Sequence, residues 1–353
     1  MPLQRRRFIR DLTMASFLPL GPITTVGDGA SKSKPGIIRK IVPNRLSAGQ
    51  TIGVVSPSGA LYEAGPYELV TEVLQAMGLR VKMSKHVADR YGHLAGQDDD
   101  RAEEINNMFK DPSVNAIICL RGGSGAARIL EKIDYKTIAR NPKIFIGYSD
   151  ITALLLAIYA RSGLVTFHGP VAISSWNSFT YDYFKRLLFE GQEVLFKNPE
   201  KSPDDLVQVN DRIRTLTPGK TSGILVGGNL SVLCGMVGSD YLPSWKDKIL
   251  FLEDTDEQIY RIDRMMSQLQ LSGVLRQLKG FIMGKCTNCN PGRGYGSLTL
   301  DELLDHYIKP LKIPAFSGAM IGHIKDKFTL PVGLEVDMDA EAGTIQLSQP
   351  AVI

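Results

Sequence analysis

The sequence predicts an α/β protein in two parts: a parallel sheet covered by helices within residues 35–170, and a mixed, β-rich α/β domain over 220–353. Three observations predict it. Short apolar runs alternate with helix-period segments through residues 50–163, the pattern of a parallel sheet with helical crossovers. Gly-rich and Ser/Asp-bearing turns stand at the ends of two of these runs, where sheets of this kind bind ligands. Beyond residue 220 the chain ends in "LEVDMDAEAGTIQLSQP", which alternates like a β-hairpin turning at Ala342-Gly343.

The elements follow in order. "QTIGVVS" (50–56) is a buried strand leading to "PSGA", and Leu69, Val70, Val73, Leu74 and Met77 have helical spacing within 64–78. "RVKMSK" is a second short strand. "DDDRAEEINNMFKDPSV" opens with acids, as helix N-termini favour. "NAIICL" is a strand running into "RGGSGAARIL", and "KIFIGYS" is another, followed by the helix "ITALLLAIYARSG". Residues 171–219 are polar and predict a connection. After them come "TSGILVGGNLSVLCGMVG" (strand, Gly-rich turn, helix), "DKILFLEDTDEQIYRIDRMMSQLQLSGVL" (strand ending in acids, then helix) and the strand "LKGFIMGKC".

The 353 residues are 43% hydrophobic and 22% charged with a net charge of +4, ordinary for a soluble enzyme. The basic residues form no stripe, so no nucleic-acid partner is expected. No apolar run of about eighteen residues is present, so no spanning helix is expected. Residues 1–34 differ from the rest. Arg5, Arg6, Arg7, Phe8, Ile9 and Arg10 precede a weakly apolar stretch and then small, polar residues, which resembles a twin-arginine export signal and predicts periplasmic delivery; the competing reading is a basic tail on a cytoplasmic protein. Cys286 and Cys289 form a lone CTNC with no second ligand pair, which argues against zinc; in an exported protein they could pair as a disulfide. Cys119 and Cys234 fall in apolar runs and look like buried small hydrophobes.

Ser149, in "GYSD", sits where a strand turns into a helix. It is either a helix cap, a role Asp150 or Thr152 could also fill, or a nucleophile on a sharp turn. The last Gly of the usual elbow is replaced by Ile151. A nucleophile here would have the N–H of Asp150 beside it as an anion donor. "RGGSG" (121–125) is a tight turn, or a second donor from Gly122 or Gly123. It is not a phosphate loop, since the chain has no G-x-x-x-x-G-K-[ST]. A serine nucleophile needs a base. Of His86, His93, His168, His306 and His323, the last follows a buried-looking strand, where a catalytic group would be presented; His168 looks like core and His306 lies on a predicted helix. An orienting acid is available in Glu253 or Asp254 at the end of "ILFLED", with Glu257 competing.

Six ordered blocks, "VVSPSGA", "HLAGQDDDRAEEINNMFKDPSVNAIICLRGGSGAARIL", "KIFIGYSDITALLLAIYARSGLVTFHGP", "GILVGGNLSVL", "ILFLEDTDEQIYRIDRMMSQL" and "IGHIKDKFTLPVG", resemble the LD-carboxypeptidases, serine peptidases grouped with the microcin-immunity peptidases. The resemblance runs from about residue 50 to 350 and implies an N-terminal flavodoxin-like or Rossmann-like half joined to a C-terminal mixed domain, with the site at their junction. It implies a Ser149–Glu253–His323 triad, an oxyanion hole from the N–H groups of Asp150 and Gly123, no metal or cofactor, and a homodimer. Arg121, Gly122 and Ser124 are expected to line the substrate site, with Arg121 and Lys325 as candidate carboxylate partners. The family turn usually reads RGGYG; Ser124 takes the aromatic place and is expected to alter the pocket. The implied reaction releases terminal D-alanine from a murein tetrapeptide by cutting an L–D amide.

Two alternatives are kept. An immunity-type peptidase cutting a peptidyl-nucleotide would want an aromatic side chain to stack on the base, for which Trp176 and Trp245 are available. A non-catalytic periplasmic binding protein on the same fold is opposed by the intact Ser149, Glu253 and His323. A dinucleotide enzyme is disfavoured, since no G-x-G-x-x-G opens the first helix.

Overall fold

The computed structural model describes residues 39–292 and 296–353; the paired-arginine segment lies outside the described residues. The first part alternates as expected: β1 (Thr51–Val55), α1 (Gly65–Ala76), β2 (Arg80–Met83), α2 (Asp98–Lys110), β3 (Ala116–Cys119), α3 (Tyr135–Arg140), β4 (Ile144–Gly147), α4 (Thr152–Ser162) and β5 (Thr166–His168). The five strands are parallel in the order β2-β1-β3-β4-β5. Central strands β3 and β4 are buried at every position. Their unbroken apolar runs reflect a parallel sheet covered on both faces.

The stretch 171–219, expected as a plain connection, holds α5 (Ser178–Leu188), β6 (Leu195–Phe196) and β7 (Arg214–Thr217). Asn177 caps α5 by accepting from the N–H of Thr180 at 3.0 Å, and Tyr183, Phe184, Leu187 and Leu188 supply its buried face. There follow β8 (Lys220–Asn229), α6 (Leu230–Met236), β9 (Lys248–Thr255), α7 (Ile259–Leu271), β10 (Gly280–Thr287), α8 (Leu300–Ile308), β11 (Ala315–Ser317), β12 (Leu330–Val332), β13 (Leu334–Asp339) and β14 (Thr344–Leu347). The last two form the predicted hairpin.

The second sheet is mixed, in the order β6-β14-β13-β8-β9-β10-β11-β7. Its centre, β8 to β11, is parallel, and antiparallel strands flank it. β12 leaves this sheet and pairs antiparallel with β5 at the edge of the first. Helix α4 touches β4 and β5 of the first sheet and β8 of the second. That position accounts for its composition: Thr152 through Ile158 are all buried, so the helix is apolar nearly all round rather than striped. Among the described residues no helix is long and apolar enough to cross a membrane, and all four cysteines are free.

Candidate active site

Ser149 opens a short 3-10 turn, Ser149–Ile151, between β4 and α4. Its φ is +65°, in the left-handed region that a non-glycine residue enters at a cost. Neither this turn nor α4 has a side-chain cap hydrogen bond. The capping reading is therefore not what the residue does. The hydroxyl of Ser149 is spent on no cap, and the backbone is held in the sharp, strained geometry that projects a side chain from a strand end.

The glycine turn presses on this serine. A Cβ on Gly122 would stand 2.8 Å from Cβ and 3.0 Å from Oγ of Ser149, so only glycine fits there. Gly123 follows at φ +133°. Several contacts lock the two turns together. Buried Asp150 accepts from Ser58 Oγ at 2.5 Å and from the Ala126 N–H at 2.8 Å. Arg101, 1% exposed, donates to the carbonyls of Pro57 and Gly125. Such a buried guanidinium is tolerated because it is paired and hydrogen-bonded. The backbone N–H groups of Gly123 and Asp150 donate to no other protein group among the described residues.

Glu253 lies at the end of β9 and is wholly buried. Its Oε2 is 2.8 Å from Nδ1 of His323, while Oε1 has no partner among the described residues. Strand alternation sends the neighbouring Asp254 to the other face, where it accepts from Asn229, the Ser231 N–H and the Thr255 N–H. Burial raises the Asp254 carboxyl to about 6. Glu257 stands opposite Arg261 instead, at 3.6 Å. Of the three acids considered, Glu253 is the one on a histidine.

His323 sits in the loop between β11 and β12. Thr287 Oγ1 donates to its carbonyl at 3.0 Å, and the Lys285 N–H donates to the Ile321 carbonyl at 2.9 Å. Its ring centroid is 4.8 Å from that of Tyr148, the residue before Ser149. The Glu253–His323 pair thus comes from the second sheet and meets the serine turn of the first through Tyr148. The other histidines are elsewhere engaged or exposed. His86 pairs with Asp89 at 2.7 Å, and His93 and His306 are exposed. His168 is buried edge-on against Phe251, both ring nitrogens without a partner among the described residues; burial lowers it to about 4.

Arg121 donates through Nη1 to the Ala60 carbonyl at 2.9 Å and through Nε to the Gly122 carbonyl at 3.2 Å. It braces the glycine turn. Ser124 is exposed. Lys325 is exposed too, whereas Lys327, two residues on, is 5% exposed with its ammonium 5.0 Å from the centroid of the Tyr148 ring. Sequence reasoning missed Lys327 and Tyr148; only the position of Tyr148 beside Ser149 pointed to the latter. Trp245 is buried in the core, and Trp176 packs edge-on against Phe184 with its indole N–H on the Ala172 carbonyl. Among the described residues one group has metal-ligand character, His86, Asp89 and Asp100; it includes none of the residues around Ser149.

Two family models match the chain: the LD-carboxypeptidase N-terminal domain over residues 52–169 and the LD-carboxypeptidase C-terminal domain over 222–338. The probable murein peptide carboxypeptidase of Bacillus subtilis is 38% identical over 310 residues, covering 86% of this chain and 92% of the relative. Among solved structures, the microcin C7 self-immunity protein MccF without ligand superposes with a TM-score of 0.80 at 29% identity, covering 89% of this chain and all of that one. The muramoyltetrapeptide carboxypeptidase of Oxalobacter formigenes superposes at 0.72 with 30% identity, covering 84% and 98%.

Proposed function

The chain belongs to the LD-carboxypeptidase family, and we propose on that premise that it hydrolyses the L–D amide of murein tetrapeptides and releases terminal D-alanine. The observation that carries the reading is the 2.8 Å contact between buried Glu253 and Nδ1 of His323, delivered beside a serine whose hydroxyl caps nothing. A hydroxyl is a poor nucleophile until a base takes its proton. In this reading Nε2 of His323 takes the proton from Ser149 as Oγ attacks the carbonyl carbon. Glu253 holds the tautomer with Nδ1 protonated and stabilises the imidazolium. The N–H groups of Asp150 and Gly123 receive the tetrahedral oxyanion, each such donor lowering the barrier by roughly 3 kcal/mol. His323 then gives its proton to the departing D-alanine nitrogen. Water, deprotonated by the same ring, clears the acyl-serine.

The immunity-type alternative gains nothing from the tryptophans, since Trp245 is in the core and Trp176 is packed on Phe184. The paired arginines near the N-terminus support delivery across the cytoplasmic membrane, which would place the enzyme near murein peptides at the wall. Release of D-alanine from L-Ala-γ-D-Glu-meso-diaminopimelate-D-Ala tests the reaction. Ser149→Ala should release none, and Glu253→Gln should lose about 10⁴ in kcat, the cost of a wrong tautomer. Full turnover by the Ser149→Ala variant would remove the assignment.

A further inference from the structure

Lys327 is a cation without an anion. The residue is only 5% exposed. Its ammonium makes no hydrogen bond or ion pair among the described residues. The contact it does make is with the face of Tyr148, 5.0 Å from the ring centroid. Tyr148 in turn lies between Ser149 in sequence and His323 in space. The acids whose fields reach Lys327 are Glu253 and Asp326, and neither stands within ion-pair distance; Glu253 gives its Oε2 to His323. Taking an ammonium this far out of water is costly unless a counter-charge meets it. A ring face offsets part of that cost.

We propose that the missing counter-charge is the free carboxylate of the substrate's terminal residue, and that Lys327 is the specificity residue that recognises it. A carboxypeptidase must tell a chain end from an internal bond, and an unpaired cation beside the nucleophile turn supplies that discrimination. The other cations near the turn are less suited. Arg121 has Nε and Nη1 committed to backbone carbonyls, and Lys325 is exposed to solvent. The polypeptide also holds Lys327 in place: its N–H donates to Thr180 Oγ1 at 3.2 Å, and the next residue, Phe328, packs against Phe179, Tyr183 and Phe196.

The assignment rests on Ser149 being the nucleophile, and the test separates the two. Tripeptide release is followed by chromatography from two substrates, the tetrapeptide ending in D-alanine and the same peptide ending in D-alaninamide. Wild type should favour the acid by about a hundredfold in kcat/KM, the usual scale of a desolvated charge pair. In Lys327→Met the acid should lose that advantage through KM, with kcat largely kept, and the acid-to-amide ratio should fall to about one. Lys327→Arg should keep part of the preference, and it serves where the Met variant folds poorly. A wild type that cuts acid and amide equally would overturn the proposal. So would a Lys327→Met variant that slows both substrates alike, the signature of a purely structural cation. Activity in Ser149→Ala, by contrast, strikes the nucleophile assignment, which the acid-to-amide ratio of the Lys327 variants does not read.

Discussion

Gly322 lies directly against the carboxylate of Glu253. A Cβ placed on it would stand 2.8 Å from Oε2, the same oxygen that lies 2.8 Å from Nδ1 of His323. The glycine is at φ +119°, so the backbone bends over the acid in a conformation that side chains resist.

Gly322→Ala should therefore displace the Glu253–His323 contact without touching the nucleophile. An error of about an ångström in such a group costs on the order of 10²-fold in rate. Kinetics on the tetrapeptide should show kcat lowered on that scale with KM little changed, and a thermal melt should show a loss of a few degrees. A kcat within twofold of wild type would mean the acid has room to move.

His168 should make the fold sensitive to mild acid. Its complete burial favours the neutral ring and lowers it from 6.5 to about 4. The unfolded chain takes a proton as pH falls through 6.5, whereas the folded chain resists until about 4. Stability from this group is complete above pH 6.5 and is lost between 6.5 and 4, to an extent of about 3 kcal/mol. Glu253, His323 and Lys327 are the titratable neighbours that face it. Denaturant melts across that range should fall steeply for wild type and less steeply for His168→Leu; equal slopes would contradict the burial argument.

Export should depend on the arginine pair. With Arg5 and Arg6 both changed to Lys, the protein should stay in the cytoplasmic fraction of a host with twin-arginine transport. Unaltered periplasmic recovery of that variant would exclude this route.

Much of the site could be read in advance because it is made of local chemistry. The strand exits "GYSD", "RGGSG" and "ED" each follow directly on a short apolar run, "IFI", "AIICL" and "ILFL". Local sequence leaves Ser149 ambiguous between cap and nucleophile, since both occupy the same turn; its φ of +65° and the absence of a cap bond argue against the cap, and dihedral angles are not spelled in the residues. The helix α5 is hidden in the sequence because Tyr183, Phe184, Leu187 and Leu188 are embedded in a polar stretch. Lys327 looked like any charged residue among "KDK". Its backbone N–H is held by Thr180 and the next residue, Phe328, packs on Tyr183, both about 150 residues away in the chain, while its ammonium lies over Tyr148. The crossing of β12 into the first sheet was illegible for the same reason: a three-residue strand contains no record of its partner.

The loop that carries His323 begins at β11 in one sheet and ends at β12 in the other. His323 is thus suspended on a span whose two anchorages belong to different sheets. During synthesis Ser149 emerges with β4 and α4, while His323 follows six of the eight strands of the second sheet. A chain that is half made, or whose sheets have not docked, holds a serine with nothing to deprotonate it. In the reading proposed above, the serine gains its base only where β11 and β12 have each joined their own sheet.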